Sequence, residues 1–390
     1  MASYLQRLPL YRELGDVSQF LMTAGAHKGL LFDRFFGGYD PDWKLDTKVT
    51  KKADGEPSTA HPMAWITARQ DVSQKTRKRI DAQVALITAL GGVGMTCATD
   101  WHFVTGLGES HPLENGFTWH HTLGTPYLPA SSIKGMLRGY LEQWCDLFSE
   151  EELLEIFGNK REEEPLRAGQ IIFFDALPVG CPEVIQDVMT PHMGEWYAQG
   201  DKARADDAQK VPADWHSPIP VTFLAVRNAR FVFTIAHRSQ PNSPLLGRVL
   251  VALEEALAFI GAGAKTAAGY GTMTRLSDAD PLSFAKLAAK ANEAKAAERS
   301  KAEMAQLTDS GKSIWSLRLR ADDSALTAEN RNISGPLRIL LKETVEFVAA
   351  NGTVDEKQQL RELADTIAKK HWNTKIRDNA KLKELLKLLG

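Results

Sequence analysis

Apolar positions recur with two different periods in the middle of the chain. From Ser132 to Trp144, and again from Leu245 to Ile260, they follow the three- and four-residue spacing of a buried helix face. The order of helices and strands in this region predicts an α+β domain with a β-α-β-β-α-β core, the ferredoxin-like (RRM-like) class. The strand-like apolar runs lie at residues 97–106, 170–177, 221–226, 230–237 and 271–276.

The pattern changes on both sides of this core. Before it, helical patterns at 13–39 and 74–90 enclose a long polar excursion at 40–72. A second excursion, residues 193–218, interrupts the core and is expected to reach a partner or to form a surface loop. The predicted parts are an N-terminal helical segment (1–95), the core (96–280), a charged connector (281–306) and a helical C-terminal domain (307–390).

The start of the first core helix has the chemistry of an anion site. Ser131 or Ser132 is predicted to cap this helix, and Lys134 and Arg138 lie one turn apart on the same side. Free N–H groups at a helix start, together with two cations, suit a phosphate chain. Cations on the outer side of an amphipathic helix are also often simply solvated, so the spacing alone leaves both interpretations open.

A glycine-rich loop follows the second core helix. Its glycines make the backbone permissive, so that amides can turn toward an anion. The loop is not a nucleotide P-loop, because Ala264 stands before Lys265 where that pattern needs glycine. It is not a dinucleotide fingerprint either, because Thr266 stands at the third glycine position. The candidate binding residues are Gly261, Gly263, Lys265, Thr266, Gly269, Tyr270 and Gly271.

Charge and composition restrict where such binding can occur. The net charge is -2, but Lys and Arg outnumber Asp and Glu by 20 to 15 in residues 281–390, whereas they are outnumbered 27 to 34 in the rest. The main body must therefore concentrate phosphate-binding charge locally. The three cysteines have no C-x-x-C spacing. No apolar run is long enough to span a membrane, and no signal-peptide pattern is present. We expect a cytoplasmic protein with no metal, no cofactor and no membrane contact.

Six short motifs occur in a fixed order between residues 103 and 271. They are F-V-T-G-L-G (103–108), H-P-L-E-N-G-F (111–117), G-T-P-Y-L-P-A-S-S-I-K-G-M-L-R (124–138), D-V-M-T-P-H (187–192), S-P-I-P-V (217–221) and the glycine-rich loop (261–271). Together they resemble the RAMP superfamily of CRISPR-associated RNA-binding proteins, and most closely the family of sixth subunits of the type III-B Cmr effector complex. One departure is Ala130, where the family commonly has glycine.

This resemblance implies a non-catalytic RNA-binding subunit of an antiviral ribonucleoprotein complex. Such a subunit holds the 3′ part of the guide (CRISPR) RNA near the end of a filament, through the helix-start and loop residues named above. The implied partners are guide RNA, target RNA, a backbone RAMP subunit, a small helical subunit and a neighbouring RAMP subunit. A protein-only scaffold with basic helices is a weaker option.

Ten histidines leave an enzyme as the alternative. RAMP relatives that mature guide RNA use a histidine as general base, so His121 or His192 would serve in a stand-alone guide-processing endoribonuclease. No metalloprotease, nucleophile-elbow or paired-carboxylate signature is present. Asp175 and Glu114 are interpreted as local hydrogen-bond partners rather than metal ligands. We therefore predict that the protein is not an enzyme.

Overall fold

The chain divides after Asn292 into two compact units. Apart from Ile66 and Thr67, the predicted excursion at 40–72 lies outside the described residues, and so does most of the predicted helix at 13–39. The computed structural model describes residues 26–36, 66–67, 74–159, 165–202, 204, 210–212, 215–218, 220–322, 335–372 and 379–390.

The larger unit combines helices with short antiparallel strands. Its last helix, α7, continues across the division between the two units. The helices are α1 (Lys28–Asp33), α2 (Gln74–Ala89), α3 (Ala130–Gln143), α4 (Glu150–Phe157), α5 (Gly194–Gln199), α6 (Pro244–Phe259) and α7 (Phe284–Ala305). The strands are β1 (Val93–Thr99), β2 (Ser110–His111), β3 (Glu114–Asn115), β4 (Ile171–Phe173), β5 (Leu177–Val179), β6 (Glu183–Met189), β7 (Val221–Arg227), β8 (Arg230–His237) and β9 (Met273–Arg275).

The central sheet has the order β4-β8-β1-β9. β5 also pairs with β8, at residues 230–232, whereas β4 pairs with residues 235–237 of that strand. All of these pairs are antiparallel. Reading β4 and β5 as one interrupted strand, the chain order β1, α3, β4, β8, α6, β9 is the predicted β-α-β-β-α-β arrangement. This confirms the predicted α+β fold class.

The core lies between this sheet and helices α3 and α6. Ile133 and Leu137 of α3 and Leu253 of α6 are almost fully buried, in one cluster with Phe231 and Phe233 of β8. Burying each such side chain contributes about 1.5–3 kcal/mol, which is why these apolar stripes select the packing. Both helices have the spacing that the sequence shows, and their bounds agree with the prediction within two residues.

Three strand predictions differ from the structure. The strand predicted at 97–106 is β1, which ends at Thr99, and Phe103 beyond it makes only an isolated bridge to Val226. The strand predicted at 170–177 is split into β4 and β5, because the chain between them leaves the sheet at Ala176 to pair with Leu128. β7 pairs with β6 and not with β8, its neighbour in sequence. β6 and β7 therefore form a separate two-stranded sheet.

The start of α3 and the end of α6 have different neighbours. The bridge between Leu128 and Ala176 holds the chain before α3 beside β5, whereas the loop after α6 bonds to the Val104 carbonyl. The ends of the two helices meet, because Tyr140 Oη donates to Glu255 Oε2 at 3.3 Å. The two predicted anion sites therefore adjoin different parts of the larger unit.

The smaller unit, Glu293 to Gly390, is helical in its described residues beyond α7. Its core contains Leu317, Leu341, Val345 and Ile367, which are almost fully buried. The first of its helices was not predicted from the sequence, because its apolar positions are few and separated by serine and arginine. The helices are α8 (Asp309–Asp322), α9 (Pro336–Asn351), α10 (Val354–Trp372) and α11 (Ala380–Leu386).

Candidate nucleic-acid interface

The start of α3 is capped by a carboxylate from another part of the chain. The N-cap residue is Pro129, and the Ala130 amide donates to Asp175 Oδ1 at 2.8 Å. Ser131 and Ser132 are exposed in the first turn, and no serine side chain caps the helix, so the predicted serine cap is wrong. The interpretation of Asp175 as a local hydrogen-bond partner is confirmed. The protein's own anion thus takes up one of the donors predicted for phosphate.

The two predicted cations of α3 contact the neighbouring helix. Lys134 Nζ donates to the carbonyl oxygen of Phe157, the last residue of α4, at 3.1 Å. Burial, followed by the charges of Arg138 and Arg238, lowers the pKa of Lys134. Arg138 Nε pairs with Glu142 Oε1 at 2.8 Å, and its guanidinium lies 5.8 Å from the Phe157 ring centre. Part of the binding capacity of both side chains is therefore used within the protein.

The outer surface of α3 nevertheless has room for a partner. Cβ atoms added at Gly135 or Gly139 would meet no other atom within 4 Å. Glycine inside a helix costs about 0.5–1 kcal/mol relative to alanine, and no packing within the described residues requires it here. This open strip beside Lys134 and Arg138 agrees with the idea that a partner backbone approaches the helix.

The glycine-rich loop after α6 is folded tightly on itself. Gly261, Gly263, Gly269 and Gly271 all have positive φ, between 71° and 91°. At Gly271 a Cβ would overlap the Ala262 carbonyl oxygen, and at Gly263 it would overlap the Val104 carbonyl oxygen. Two glycines are thus required by close backbone approach as well as by the left-handed conformation.

Several amides of this loop are used internally, which corrects the expectation that they turn outward together. The Ala262 amide donates to the Gly271 carbonyl at 2.9 Å, and the Ala264 amide donates to the Val104 carbonyl at 2.7 Å. The Gly271 amide donates to the His102 carbonyl at 2.7 Å. The loop is thereby fixed against residues 102–104, and binding of an anion there depends mainly on its side chains.

Lys265 is the cation that this loop presents. It has φ 60°, in the left-handed region, and precedes a short 3-10 turn that includes Thr266. Its ammonium lies 5.3 Å from the centre of the Phe223 ring and 3.4 Å from Met189 Sδ. In the part of the chain that the structure describes, no carboxylate forms an ion pair with Lys265. It therefore differs from Arg138, whose charge has a partner in Glu142.

A polar network beside the loop was not recognised in the sequence. Asp187 Oδ2 accepts from Tyr270 Oη at 2.8 Å and from His102 Nδ1 at 3.0 Å, while Oδ1 accepts from the Val188 amide at 2.8 Å. Burial, and then the neighbouring Asp187, raise the pKa of Tyr270 to about 12. The pKa of Asp187 is lowered: burial alone would raise it, but the three hydrogen bonds together outweigh burial. Only the D-V-M-T-P-H motif marked this position.

Trp101 covers this network from outside. Its ring stacks on His102 with centroids 4.5 Å apart and planes 14° apart, and it lies 4.7 Å from the Tyr270 ring. Trp101 is 50% exposed, whereas Tyr270 is buried. The sequence offered no signal for Trp101, because a single tryptophan after a strand has no recognisable pattern.

The two histidines of the enzyme alternative lie in different parts of the larger unit. His121 is exposed, and its carbonyl oxygen accepts from His27 Nε2 at 2.7 Å. His192 is also exposed and lies 3.4 Å from the His216 carbonyl oxygen. Among the described residues, neither contacts a carboxylate or the other histidine. The same residues contain no cluster of three His, Cys, Asp or Glu side chains that could hold a metal ion.

No helix in the described part of the chain is both long and apolar enough to span a membrane.

Comparison with known proteins finds similarity to one superfamily. Residues 94–274 match the sequence model of the RAMP superfamily, which confirms the resemblance drawn from the motifs. The match includes α3, the glycine-rich loop, Trp101 and the Asp187 network. Residues 275–390 lie outside it.

The particular relatives carry one name. The chain is 25% identical over 243 residues to the CRISPR system Cmr subunit Cmr6 of Pyrococcus furiosus, covering 48% of this chain and 69% of that protein. It is 30% identical over 160 residues to the CRISPR system CMR subunit Cmr6 of Saccharolobus solfataricus, covering 40% of this chain and 47% of that protein. A chain in the cryo-EM structure of the type III-B Cmr-beta bound to cognate target RNA is 24% identical, with a TM-score of 0.43, over 55% of this chain and 70% of that chain.

Proposed function

We propose that this protein is a non-catalytic, RNA-binding subunit of a Cmr-type CRISPR ribonucleoprotein complex in antiviral defence. The observation that carries the proposal is the RAMP match over residues 94–274 together with two relatives that are both named Cmr6. Its partners would be guide RNA, target RNA and other subunits of the complex. In the assembled filament the protein would lie near one end and hold the 3′ part of the guide.

The contacts proposed for RNA lie along α3 and in the loop that follows α6. Lys265 is the strongest candidate for a phosphate contact, because its ammonium bonds neither a carboxylate nor a carbonyl oxygen among the described residues. Lys134 and Arg138, beside the open strip of α3, would form a second group of contacts. Phosphate contacts fix the position of the strand without reading its sequence, so binding should be sensitive to salt and tolerant of sequence.

The absence of catalysis is part of the proposal. Among the described residues, neither His121 nor His192 forms a hydrogen bond or an ion pair with an acid that could orient it as a general base. An RNA-holding subunit requires no such arrangement. The half-buried Lys265 side chain and the internally bonded loop that presents it suit retention of a strand.

A gel-shift experiment on the full-length protein tests both parts. Labelled single-stranded guide RNA is titrated in EDTA across a salt series, and the RNA is then recovered on a denaturing gel. We expect binding that weakens as salt rises, with intact RNA. Discrete metal-independent cleavage, abolished by replacing His121 and His192 with alanine, would overturn the non-catalytic assignment in favour of an endoribonuclease.

The position on the guide requires a separate measurement in a reconstituted complex. A photo-crosslinking nucleotide is placed either at the 3′ end or at the 5′ end of the guide. We expect crosslinks to this subunit from the 3′ probe and few from the 5′ probe. The reverse preference would show that the end of the guide is wrongly assigned, without affecting the RNA-binding proposal.

A further inference from the structure

Trp101 is an exposed aromatic ring beside the glycine-rich loop. Half of its surface is accessible, although tryptophan, a large residue, is usually mostly buried in a folded domain. One ring face lies flat against His102, and its edge is near Tyr270. The arrangement leaves aromatic surface open to solvent, next to the loop.

The ring is also held in a defined orientation. A carboxylate oxygen only accepts hydrogen bonds, so His102 must donate to Asp187 through Nδ1–H, and this bond sets the plane of the imidazole under Trp101. Tyr270 donates to the same carboxylate oxygen. Two rings that contact Trp101 are therefore anchored on Asp187. The indole rests on a support that is already ordered before any ligand arrives.

The surroundings of Trp101 favour a nucleotide strand over a protein surface. A row of ring contacts connects Trp101 with Tyr270 (4.7 Å), Tyr270 with Phe223 (6.1 Å) and Phe223 with the Lys265 ammonium (5.3 Å). The ends of this row are the exposed indole of Trp101 and the half-buried Lys265 cation, which match a base and a phosphate. The immediate neighbours of Trp101 in the chain, Asp100 and His102, are polar.

We propose that Trp101, oriented by His102 and Asp187, is a stacking platform for an unpaired nucleobase of the bound RNA, while Lys265 contacts a phosphate of the same strand. This inference rests on the proposed function and names the ligand chemistry of the site. Trp101 touches the ligand directly, whereas His102 and Asp187 are positioning residues. Because every base has an aromatic face, the platform adds affinity without adding sequence preference.

The test measures how tightly two probes bind to tryptophan variants of the full-length protein. Trp101→Ala and Trp101→Phe are measured beside Trp144→Ala, a control that removes an indole 62% exposed at the end of α3, against Phe259. The probes are a single-stranded oligouridylate and a ribose-phosphate strand of equal length without bases. Circular dichroism and thermal unfolding establish that each variant is folded.

We expect Trp101→Ala to weaken binding of oligouridylate about 5- to 100-fold, which corresponds to the loss of one base–aromatic stack. Trp101→Phe should lose less, and Trp144→Ala should bind like the wild type. On the strand without bases, Trp101→Ala should have no effect, because only the phosphate contacts remain. Oligouridylate should quench less of the intrinsic tryptophan fluorescence in Trp101→Phe than in the wild type.

The other outcomes separate the two proposals. If the wild type binds neither probe, the RNA-binding function fails and the platform fails with it. If the wild type binds and Trp101→Ala equals Trp144→Ala, the platform is overturned while the function stands. Equal losses on both probes would indicate a structural role for Trp101. Unchanged RNA binding with impaired assembly of the complex would show that a protein, not a base, covers the ring.

Discussion

The start of α3 and the glycine-rich loop after α6 were both predicted to contact RNA phosphates, and their structures differ. At α3 the Ala130 amide is bonded to Asp175, and the cations contact Phe157 and Glu142. At the loop, the backbone is closed on itself, and Lys265 rests on an aromatic ring with no acidic partner in the described chain. Both contain cations, but Lys134 bonds to a carbonyl oxygen and Arg138 to a carboxylate, whereas Lys265 has neither kind of partner among the described residues.

The role of the carboxylate explains this difference. Asp175 lies where an external anion would bind, so it satisfies the helix start. Asp187 lies behind the ligand-facing surface, and its hydrogen bonds orient His102 and Tyr270. An acid near cations can thus either compete with a phosphate or orient the side chains that contact the ligand. Only its position in the fold decides between these roles.

The largest expected effect is on the stability of the loop. Gly271→Ala should destabilise the larger unit by about 2–4 kcal/mol, because a Cβ at φ 80° would also overlap the Ala262 carbonyl oxygen. Gly269→Ala is the control: its φ is 87°, but a Cβ there has open space, so only about 1 kcal/mol of backbone strain is expected. Urea unfolding followed by tryptophan fluorescence measures both, and equal losses would contradict the tight closure of the loop.

A smaller effect separates the two groups of cations. Lys265→Ala should weaken RNA binding roughly 3- to 10-fold and lower the slope of log K against log salt by about 0.7–1, as one phosphate contact is lost. Lys134→Ala and Arg138→Ala should each have a smaller effect, because these side chains already bond within the protein.

The control for this comparison is Lys286→Ala, which removes the charge of an exposed lysine of α7 in the same unit. Gel-shift titrations at several salt concentrations give the affinities and slopes. A larger loss for the α3 variants than for Lys265→Ala would reverse the ranking of the two regions. No loss for Lys134→Ala and Arg138→Ala together would remove α3 from the proposed interface.

The smallest effect concerns the cap of α3. Asp175→Ala should cost about 1 kcal/mol of stability, and Asp175→Asn should restore most of it, because asparagine is an equally good N-cap. Neither change should weaken RNA binding. The control is Asp146→Asn, at an exposed acid just beyond α3. A clear loss of RNA affinity in Asp175→Asn, with stability retained, would mean that this carboxylate organises a ligand contact instead of excluding one.

Several elements could be predicted because their signal is local. The apolar stripes of α3 and α6 have helical spacing, and the start of α4 has a local signal in the capping box of Ser149 and Glu152. β8 reads as a continuous apolar run and is buried along nearly its whole length. β6 was missed because its exposed and covered positions alternate within a polar composition, and α8 because its stripe is sparse.

The sequence by itself determined the α+β class and the ordered motifs that resemble the RAMP superfamily. It also determined that Lys134 and Arg138 lie in α3 and that Lys265 lies in the glycine-rich loop. Apolar periodicity and glycine positions are properties of neighbouring residues, so they can be read along the chain. Only the tertiary structure decided that Asp175 caps a helix 45 residues earlier, that Asp187 joins His102 to Tyr270, and that Trp101 remains exposed above them. Hydrogen bonds and ring contacts between residues far apart in sequence depend on how the strands pair, and no local pattern encodes those distances.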